Sequence, residues 1–236
     1  MKILALETSA KAASCAVLDG GVPAATSWQC TGLTHSRTLL PMVQDMLRNC
    51  ELSLADIDAF AVAAGPGSFT GLRIGIAAVK GLAWAVDKPC LPVSTLEAMA
   101  WPLAHLEGTI VCAMDARRQQ IYNAVFQSQS GSLSRLRPDR AISLEDAAGD
   151  LAPLDLPLII VGDGAPLCCG FFQQKGIPCR LAPPHLRQQS AMGVGMAAAN
   201  LWPNGAVSPQ ELTPVYLRLS QAERERLARE GSHTFS

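Results

Sequence analysis

The segment that most constrains the fold is the glycine-rich stretch over residues 65–75, which reads GPGSFTGLRIG. A short apolar run over residues 60–64 precedes it, and the stretch that follows is nearly uncharged. Glycine adopts backbone angles that a Cβ forbids, and serine is a preferred N-cap. The pattern therefore predicts a buried strand, a tight turn and a helix capped by Ser68. Because glycine inside a helix costs roughly 1 kcal/mol relative to alanine, Gly71 and Gly75 indicate close approach of another backbone, which we expect to be a helix.

The small face of this helix admits two interpretations. It is either buried inside an α/β core or packed against a partner subunit. A second apolar stripe at helical spacing begins near His35, and Pro41 within it predicts a late helix start or a bend, since proline removes one backbone donor. Core packing explains most of this stripe, and its extra width would suit a partner helix. The residues predicted to bind a partner are His35, Leu39, Val43, Met46, Gly71, Arg73, Gly75 and Ala78.

The composition restricts the class of protein. The chain has 236 residues, 49% of them hydrophobic, and a formal net charge of −1. These values suit one large domain or two smaller ones and disfavour a chain that binds nucleic acid alone. The eight cysteines include no C-x-x-C pair, so free thiols in a reducing cytoplasm are the simplest account. The apolar N-terminal run ends at Glu7, too early for a signal peptide, and no stretch approaches membrane-spanning length. We therefore expect a soluble, cytoplasmic protein.

The order of predicted elements indicates a duplicated α/β fold. The chain opens with a three-stranded meander, followed by a helix, a buried strand, the glycine-rich turn with its helix, and a short strand before another helix capped by Ser94. The second half repeats this order: strands, a polar turn, then a strand followed by helices over residues 165–174 and 190–201. We therefore predict two lobes, residues 1–106 and 107–236.

Motifs for two common chemistries fail in the glycine-rich turn. A phosphate-binding loop requires lysine after its last glycine, and here Leu72 follows Gly71. A nucleophile elbow requires glycine two residues before and after the serine, whereas Pro66 and Thr70 flank Ser68. The four histidines are isolated along the chain, so a metal site would need long-range convergence.

Two polar turns after predicted strands are further candidates for a site. Asp115 ends one strand, although Arg117 and Arg118 are able to pair with it. The turn Gly162-Asp163-Gly164 follows another strand and would let a nucleotide approach, but a plain turn explains it more simply.

Several motifs together resemble the TsaB (YeaZ) family along nearly the whole chain. They are Glu7-Thr8-Ser9, His35-Ser36, the run from Gly65 to Gly75, Lys80-Gly81-Leu82-Ala83, Val93-Ser94-Thr95-Leu96, Asp115-Ala116-Arg117 and Pro214-Val215-Tyr216-Leu217-Arg218. The resemblance implies a two-lobed fold of the actin, sugar-kinase and heat-shock-ATPase type, with a mixed sheet and packed helices in each lobe. It also implies a role in making threonylcarbamoyladenosine next to the anticodon of tRNA. Proteins of this family act as a platform that pairs with a catalytic paralogue, TsaD, and with the ATPase TsaE.

Within that system the residues of this chain suit a non-catalytic role. The catalytic paralogue carries a metal-binding His-x-x-x-His motif, and Thr95 and Met99 stand at the matching positions here. A hydroxyl and a thioether do not suit a hard or borderline metal, so we expect no metal, no cofactor and no activity of the chain by itself. The ATPases of the superfamily approach phosphate through Asp-x-Gly turns, and neither turn here has the glycine. Weak nucleotide binding remains an alternative. Its candidate residues are Thr8, Asp115, Arg117, Gly162 and Asp163.

Other functions also stay open. The partner-binding surface would form a homodimer in the absence of TsaD. An enzyme of the glycoprotease or kinase type is the main alternative, and it predicts bound metal or tight ATP binding. Direct tRNA contact is a third hypothesis, based on arginines 218, 224, 226 and 229, but glutamates interleave with them. We therefore interpret residues 221–230 as a solvated, partly helical segment, and expect tRNA contact only through the complex.

Overall fold

The computed structural model describes residues 1–154 and 157–218, and these form two five-stranded sheets with helices packed against them. The predicted segment over 221–230 lies outside the described residues. The first sheet contains β1 (Lys2–Glu7), β2 (Ala13–Asp19), β3 (Val22–Gln29), β4 (Ala59–Gly65) and β5 (Cys90–Ser94). The second contains β6 (Gly108–Asp115), β7 (Gln120–Gln129), β8 (Ser132–Ser143), β9 (Leu158–Val161) and β10 (Cys179–Leu181). The helices are α1 (His35–Asn49), α2 (Phe69–Ala85), α3 (Thr95–Ala100), α4 (Leu144–Leu151), α5 (Ala165–Gln174) and α6 (Ala191–Leu201).

The two sheets share one topology, which confirms the predicted duplication. The first has the order β3-β2-β1-β4-β5 and the second has the order β8-β7-β6-β9-β10. In each sheet three antiparallel strands form a meander, and two further strands add in parallel beside its first strand. The strands β8 and β10 and the helix α4 were missed by the sequence analysis.

Helices α1 and α2 cover one face of the first sheet. Phe60 of β4 and Val79 of α2 belong to the same buried cluster as the inward side chains of α1. Of the two outcomes predicted for Pro41, a late start of α1 or a bend, the late start is wrong, because the helix begins at His35 and continues through Pro41, which is exposed on its outer side. The stripe on the inner side supplies enough buried area to hold the helix despite the missing donor.

The other face of the first sheet is covered by α6, from late in the chain. Ala191 and Val194 of α6 lie in one buried cluster with Ile3 and Ala61 of the first sheet. Helix α3 comes from the first half, and its Leu96 packs into a cluster of the second sheet. Each half of the chain therefore supplies a helix to the core of the other half. The lobe boundary at residue 106 stays a prediction.

Among the described residues, no helix combines the length and the apolar character that crossing a bilayer requires.

Candidate functional site

The glycine-rich turn joins β4 to α2 as predicted, and Ser68 caps the helix. Its Oγ accepts a hydrogen bond from the backbone N–H of Gly71 at 3.3 Å, and its own N–H donates to the carbonyl oxygen of Ser9 at 2.7 Å. Gly65 has a φ of +136°, a backbone conformation open to glycine but not to larger residues. The carbonyl oxygen of Val215 fills the space beside it, so a Cβ at position 65 would also collide with the chain.

The glycine face of α2 does not receive a foreign backbone. A Cβ added at Gly71 would overlap the carbonyl oxygen of Thr8, and one at Gly75 would overlap the Thr8 hydroxyl. The Thr8 Oγ1 also donates to the carbonyl oxygen of Gly71 at 2.8 Å. The prediction that a neighbouring helix or a partner subunit occupies this face is therefore wrong, because the turn after β1 lies there.

The inward stripe of α1 is also unavailable to a partner. Leu39, Val43 and Met46 are buried in the core of the first lobe, so their predicted contact with a partner is wrong in this conformation. His35 is half-buried, and its Nε2 lies 2.8 Å from the carbonyl oxygen of Ala10. Arg73 of α2 is exposed and Ala78 of the same helix is half-buried, and these two remain candidates for partner contact.

The outward faces of α1 and α2 each carry a large apolar side chain that is exposed. Trp84 is 63% exposed and Leu40 is 49% exposed. Ala77 and Gly81 are exposed on α2 at helical spacing from Trp84. Sequence reasoning recognised α2 as nearly uncharged but assigned the partner to its glycine face and to the stripe of α1, so it missed these residues. The signal was the second set of apolar positions on α2, a helix that is apolar nearly all round.

An apolar groove of about 570 Å³ runs between the two helices. Its lining residues include Leu40 and Leu47 of α1, Leu82 of α2, and Leu54 from the segment that follows α1. Large exposed apolar patches on soluble proteins commonly mark interaction sites, so this groove and the outward face of α2 form the candidate interface.

Acidic side chains gather where β1, β6 and β9 end, between the two sheets. Glu7 is fully buried, and burial raises its pKa to about 7. Hydrogen bonds from Ser9 lower this pKa in part, and the charge of Asp163 raises it further. Burial also raises the pKa of Asp163, whose Oδ1 accepts a hydrogen bond from Nε2 of Gln189 at 3.2 Å. Among the described residues, Glu7 Oε2, Ser9 Oγ and Gln189 Oε1 are buried without a protein partner. The charge of Asp115 also acts on Asp163. We call the three carboxyl groups of Glu7, Asp115 and Asp163 the acidic cleft.

The predicted nucleotide residues surround this cleft, but their polar groups are mostly engaged. Thr8 is bonded to α2, and a Cβ at Gly162 would collide with the carbonyl oxygen of Ala113. Asp115 is exposed, and its Oδ1 accepts the N–H of Arg117 at 2.7 Å. The Arg117 side chain is exposed on a turn with positive φ. A phosphate here would face carboxylates, which repel it.

The positions that match the metal motif of the catalytic paralogue lie on α3. Thr95 is fully buried with its Oγ1 unpartnered, and Met99 belongs to an apolar cluster that also contains Ile110. Within the described ranges, no group of three or more histidine, cysteine, aspartate or glutamate side chains is arranged to hold a metal ion. The donor set at this place does not fit a hard or borderline metal.

The extended segment over residues 212–218 connects the two sheets beside the glycine-rich turn. The N–H of Val215 donates to the carbonyl oxygen of Ala64 at 2.7 Å. The ring of Tyr216 stacks on Phe69 with a centroid distance of 4.3 Å, and its hydroxyl accepts a hydrogen bond from Arg73 Nε at 3.0 Å. The Arg218 guanidinium then donates to the carbonyl oxygen of Ala116 at the end of the second sheet.

The repeated lobes around this cleft define a protein of the actin, sugar-kinase and heat-shock-ATPase fold class. Component A of (R)-2-hydroxyglutaryl-CoA dehydratase from Acidaminococcus fermentans shares the fold with a TM-score of 0.51 at 11% identity, over 85% of this chain and 98% of that one. The family model described as TsaD, tRNA N6-adenosine threonylcarbamoyltransferase, matches residues 2–222. The tRNA threonylcarbamoyladenosine biosynthesis protein TsaB of Bacillus subtilis is 32% identical, covering 94% of this chain and 96% of that protein. YeaZ from Pseudomonas aeruginosa superposes with a TM-score of 0.75 at 31% identity, over 92% of this chain and 99% of that one. The chain belongs to the TsaB (YeaZ) family.

Proposed function

We propose that this chain is a non-catalytic assembly subunit for threonylcarbamoylation of the adenosine next to the anticodon of tRNA. In this role it pairs with the catalytic paralogue TsaD through the outward faces of α1 and α2. Membership of the TsaB family supports the pathway, since the Bacillus subtilis relative is named for it. The observation that carries the assembly role is the exposed apolar surface on the two helices, with Trp84 63% exposed at its edge.

The chemistry of the interior supports a role without catalysis. The place of the paralogue's metal motif holds a hydroxyl and a thioether, Thr95 and Met99, both buried. The acidic cleft consists of three carboxyl groups, one of which is fully buried with a pKa of about 7, and negative charge at this place disfavours the binding of nucleotide phosphates. A buried carboxyl with a raised pKa can also mark an active site, so the isolated chain must also be assayed directly for activity.

The shape of the surface suits a partner of the same fold. TsaD is related to this chain over residues 2–222, so it is expected to present two equivalent helices. Packing two helices of each protein together gives an arrangement with approximate two-fold symmetry, the commonest kind of pairing. A stable interface of this kind buries roughly 1,600 Å² in total. In the absence of TsaD, a second copy of this chain occupies the same surface.

Recruitment of the ATPase TsaE and contact with tRNA belong to the assembled complex in this proposal. The chain has a net charge of −1, and binding to nucleic acid by a single chain usually requires a basic surface.

Gly81 offers a direct test, because it lies on the outward face with no atom near its missing Cβ. The change Gly81→Glu places a charge in the interface while it removes a glycine from a helix interior. We expect co-purification with TsaD to fall at least about tenfold, since burying an unpaired charge is costly. We expect thermal stability of the chain to be unchanged or higher.

The matched control is Gly170→Glu on α5, where the missing Cβ also meets open space. This variant carries the same change on the second lobe and should pair normally. Reconstitution of tRNA modification with the wild type and both variants then connects pairing to function. Normal pairing of Gly81→Glu would contradict the proposed surface. A stoichiometric metal, or turnover of ATP or peptide by the isolated chain, would contradict the non-catalytic role and support the enzyme alternative.

A further inference from the structure

Two cysteines of the second lobe face each other across the contact between α5 and the edge strand β10. The Sγ atoms of Cys169 and Cys179 lie 3.2 Å apart, closer than ordinary van der Waals contact of two sulfur atoms. Each Sγ also lies near the carbonyl oxygen of the other residue. The distance is 3.9 Å from Cys169 Sγ to the Cys179 oxygen and 3.6 Å from Cys179 Sγ to the Cys169 oxygen. The two side chains therefore point directly at each other.

We propose that Cys169 and Cys179 are a modification site: a dithiol that low-molecular-weight disulfides such as glutathione disulfide convert into an intramolecular disulfide. A disulfide requires the sulfur atoms to approach to about 2.05 Å, so the pair has roughly 1 Å to close. Small rotations of both side chains suffice, since the residues already meet. The proposal is independent of the assembly role.

The difference in exposure sets the order of the two steps. Cys179 is half-buried on a three-residue edge strand, whereas Cys169 is 6% exposed on α5. In the first step the Cys179 thiolate attacks glutathione disulfide, forms a mixed disulfide and releases one glutathione thiolate, which takes up a proton. In the second step the Cys169 thiolate attacks Sγ of Cys179 and releases the second glutathione. The protein loses two electrons and two protons, and one glutathione disulfide becomes two glutathione molecules.

The surroundings of the pair make this exchange slow at neutral pH. Burial and the contact with Cys169 raise the pKa of Cys179 to about 12. Since the thiolate is the attacking species, few molecules react at any moment, and the dithiol survives brief exposure to oxidant. The contact between the two sulfur atoms favours the disulfide within the chain over the mixed disulfide with glutathione, because the second step is intramolecular. Incubation is therefore best made for several hours at mildly alkaline pH.

Other cysteines of the chain provide internal comparisons. Cys30 is exposed and makes no hydrogen bond to another cysteine among the described residues, so we expect it to form a mixed disulfide with glutathione rather than a disulfide within the chain. Cys168, the neighbour of Cys169, is fully buried in the apolar core of the second lobe and should not react.

The experiment incubates the full chain with glutathione disulfide, alkylates the remaining thiols after denaturation, and maps the modified peptides by mass spectrometry. We expect a linkage between Cys169 and Cys179, a glutathione adduct on Cys30, and alkylated Cys168. Dithiothreitol should reverse the linkage. In Cys169→Ser we expect Cys179 to keep its mixed disulfide with glutathione, because the thiol that would displace the glutathione is absent.

Two results would overturn the proposal. One is a lasting glutathione adduct on Cys179 in the wild type, which would mean that Cys169 cannot reach it. The other is free Cys169 and Cys179 after the full incubation of several hours at mildly alkaline pH, with Cys30 completely modified as proof that the oxidant was active. Because both readings come from the wild-type protein, they do not depend on whether a serine variant folds.

Discussion

The carbonyl oxygen of Thr8 lies against the Cα of Gly71, in the space that a Cβ at position 71 would fill. Thr8 belongs to the turn after β1, and its hydroxyl closes the contact by donating to the carbonyl oxygen of Gly71. The glycines of α2 are therefore needed for packing within the chain, where they let the helix contact the turn that follows the central strand β1. The surface left for a partner is the opposite side of the helix.

We expect Gly71→Ala to lower the free energy of unfolding by about 1–3 kcal/mol, the usual cost of overpacking a close contact. The new methyl group meets a backbone oxygen, which cannot rotate away as a side chain could. Gly81→Ala on the same helix meets open space and should raise stability by roughly 0.5–1 kcal/mol. Denaturant unfolding followed by circular dichroism measures both. Equal effects of the two changes would show that Thr8 does not restrict position 71.

The buried carboxyl of Glu7 should make stability depend on pH. Its pKa is raised from 4.5 to about 7 in the folded chain, so between these values the folded state holds a proton that the unfolded state has lost. Its contribution to stability is fully present below pH 4.5 and is lost as the pH rises through 7. This difference in pKa corresponds to about 3 kcal/mol. Glutamine has no charge to bury, so we expect Glu7→Gln to gain stability relative to the wild type as the pH rises. The difference in free energy of unfolding between the two proteins should be larger at pH 8 than at pH 4 by up to about 3 kcal/mol.

Glu211→Gln gives a control with the opposite sign. Hydrogen bonds from the side chain and backbone of Ser208 lower the pKa of Glu211. Its small contribution to stability is therefore present at neutral pH and lost as the pH falls through the folded pKa. Thermal unfolding at several pH values compares both variants with the wild type. A pH-independent difference between Glu7→Gln and the wild type would show that Glu7 titrates normally.

Local signals explain which elements were predictable. The cap at Ser68, the meander at the start and the helix over Ala165–Gln174 depend on serine, glycine and apolar periodicity close in sequence, and the structure confirms each. Strand β8 was missed because it is an edge strand with little apolar alternation. It is held partly by Arg140, which pairs with Asp150 of α4 at 2.6 Å, a contact that no local pattern reveals.

The direction of a helix face was the harder problem. Periodicity identified the stripe of Leu39, Val43 and Met46 correctly but could not decide whether it points to the sheet or to a partner. The same limit applies to the glycines of α2, since close approach by a turn and by a helix demand the same residue type. The acidic cleft was also only partly predictable: Asp115 and Asp163 were singled out, while Glu7 joins them through long-range pairing of strands.

Tyr216 should hold the segment over residues 212–218 against α2. We expect Tyr216→Ala to loosen it, because the change removes both the stacking on Phe69 and the hydrogen bond from Arg73. Tyr216→Phe keeps the stacked ring and should have a small effect, since an exposed hydrogen bond contributes little. Hydrogen exchange at the N–H of Val215, which donates to Ala64, reports the loosening. Unchanged protection in Tyr216→Ala would mean that the backbone bonds hold the segment alone.

The acidic cleft should keep nucleotide binding weak. Carboxylates at Asp163 and Asp115 lie near one another, and Glu7 adds charge as the pH rises above its pKa of about 7. One unit charge near a phosphate is worth on the order of 1–2 kcal/mol at an intermediate dielectric, so Asp163→Asn should bind ATP about tenfold more tightly than the wild type at pH 8. The asparagine Oδ1 can still accept from Gln189, which preserves the local structure. Isothermal titration measures the affinities, with Gly170→Glu as a variant expected to match the wild type. Tight ATP binding by the wild type, or weaker binding by Asp163→Asn, would show instead that the carboxylate takes part in holding the nucleotide.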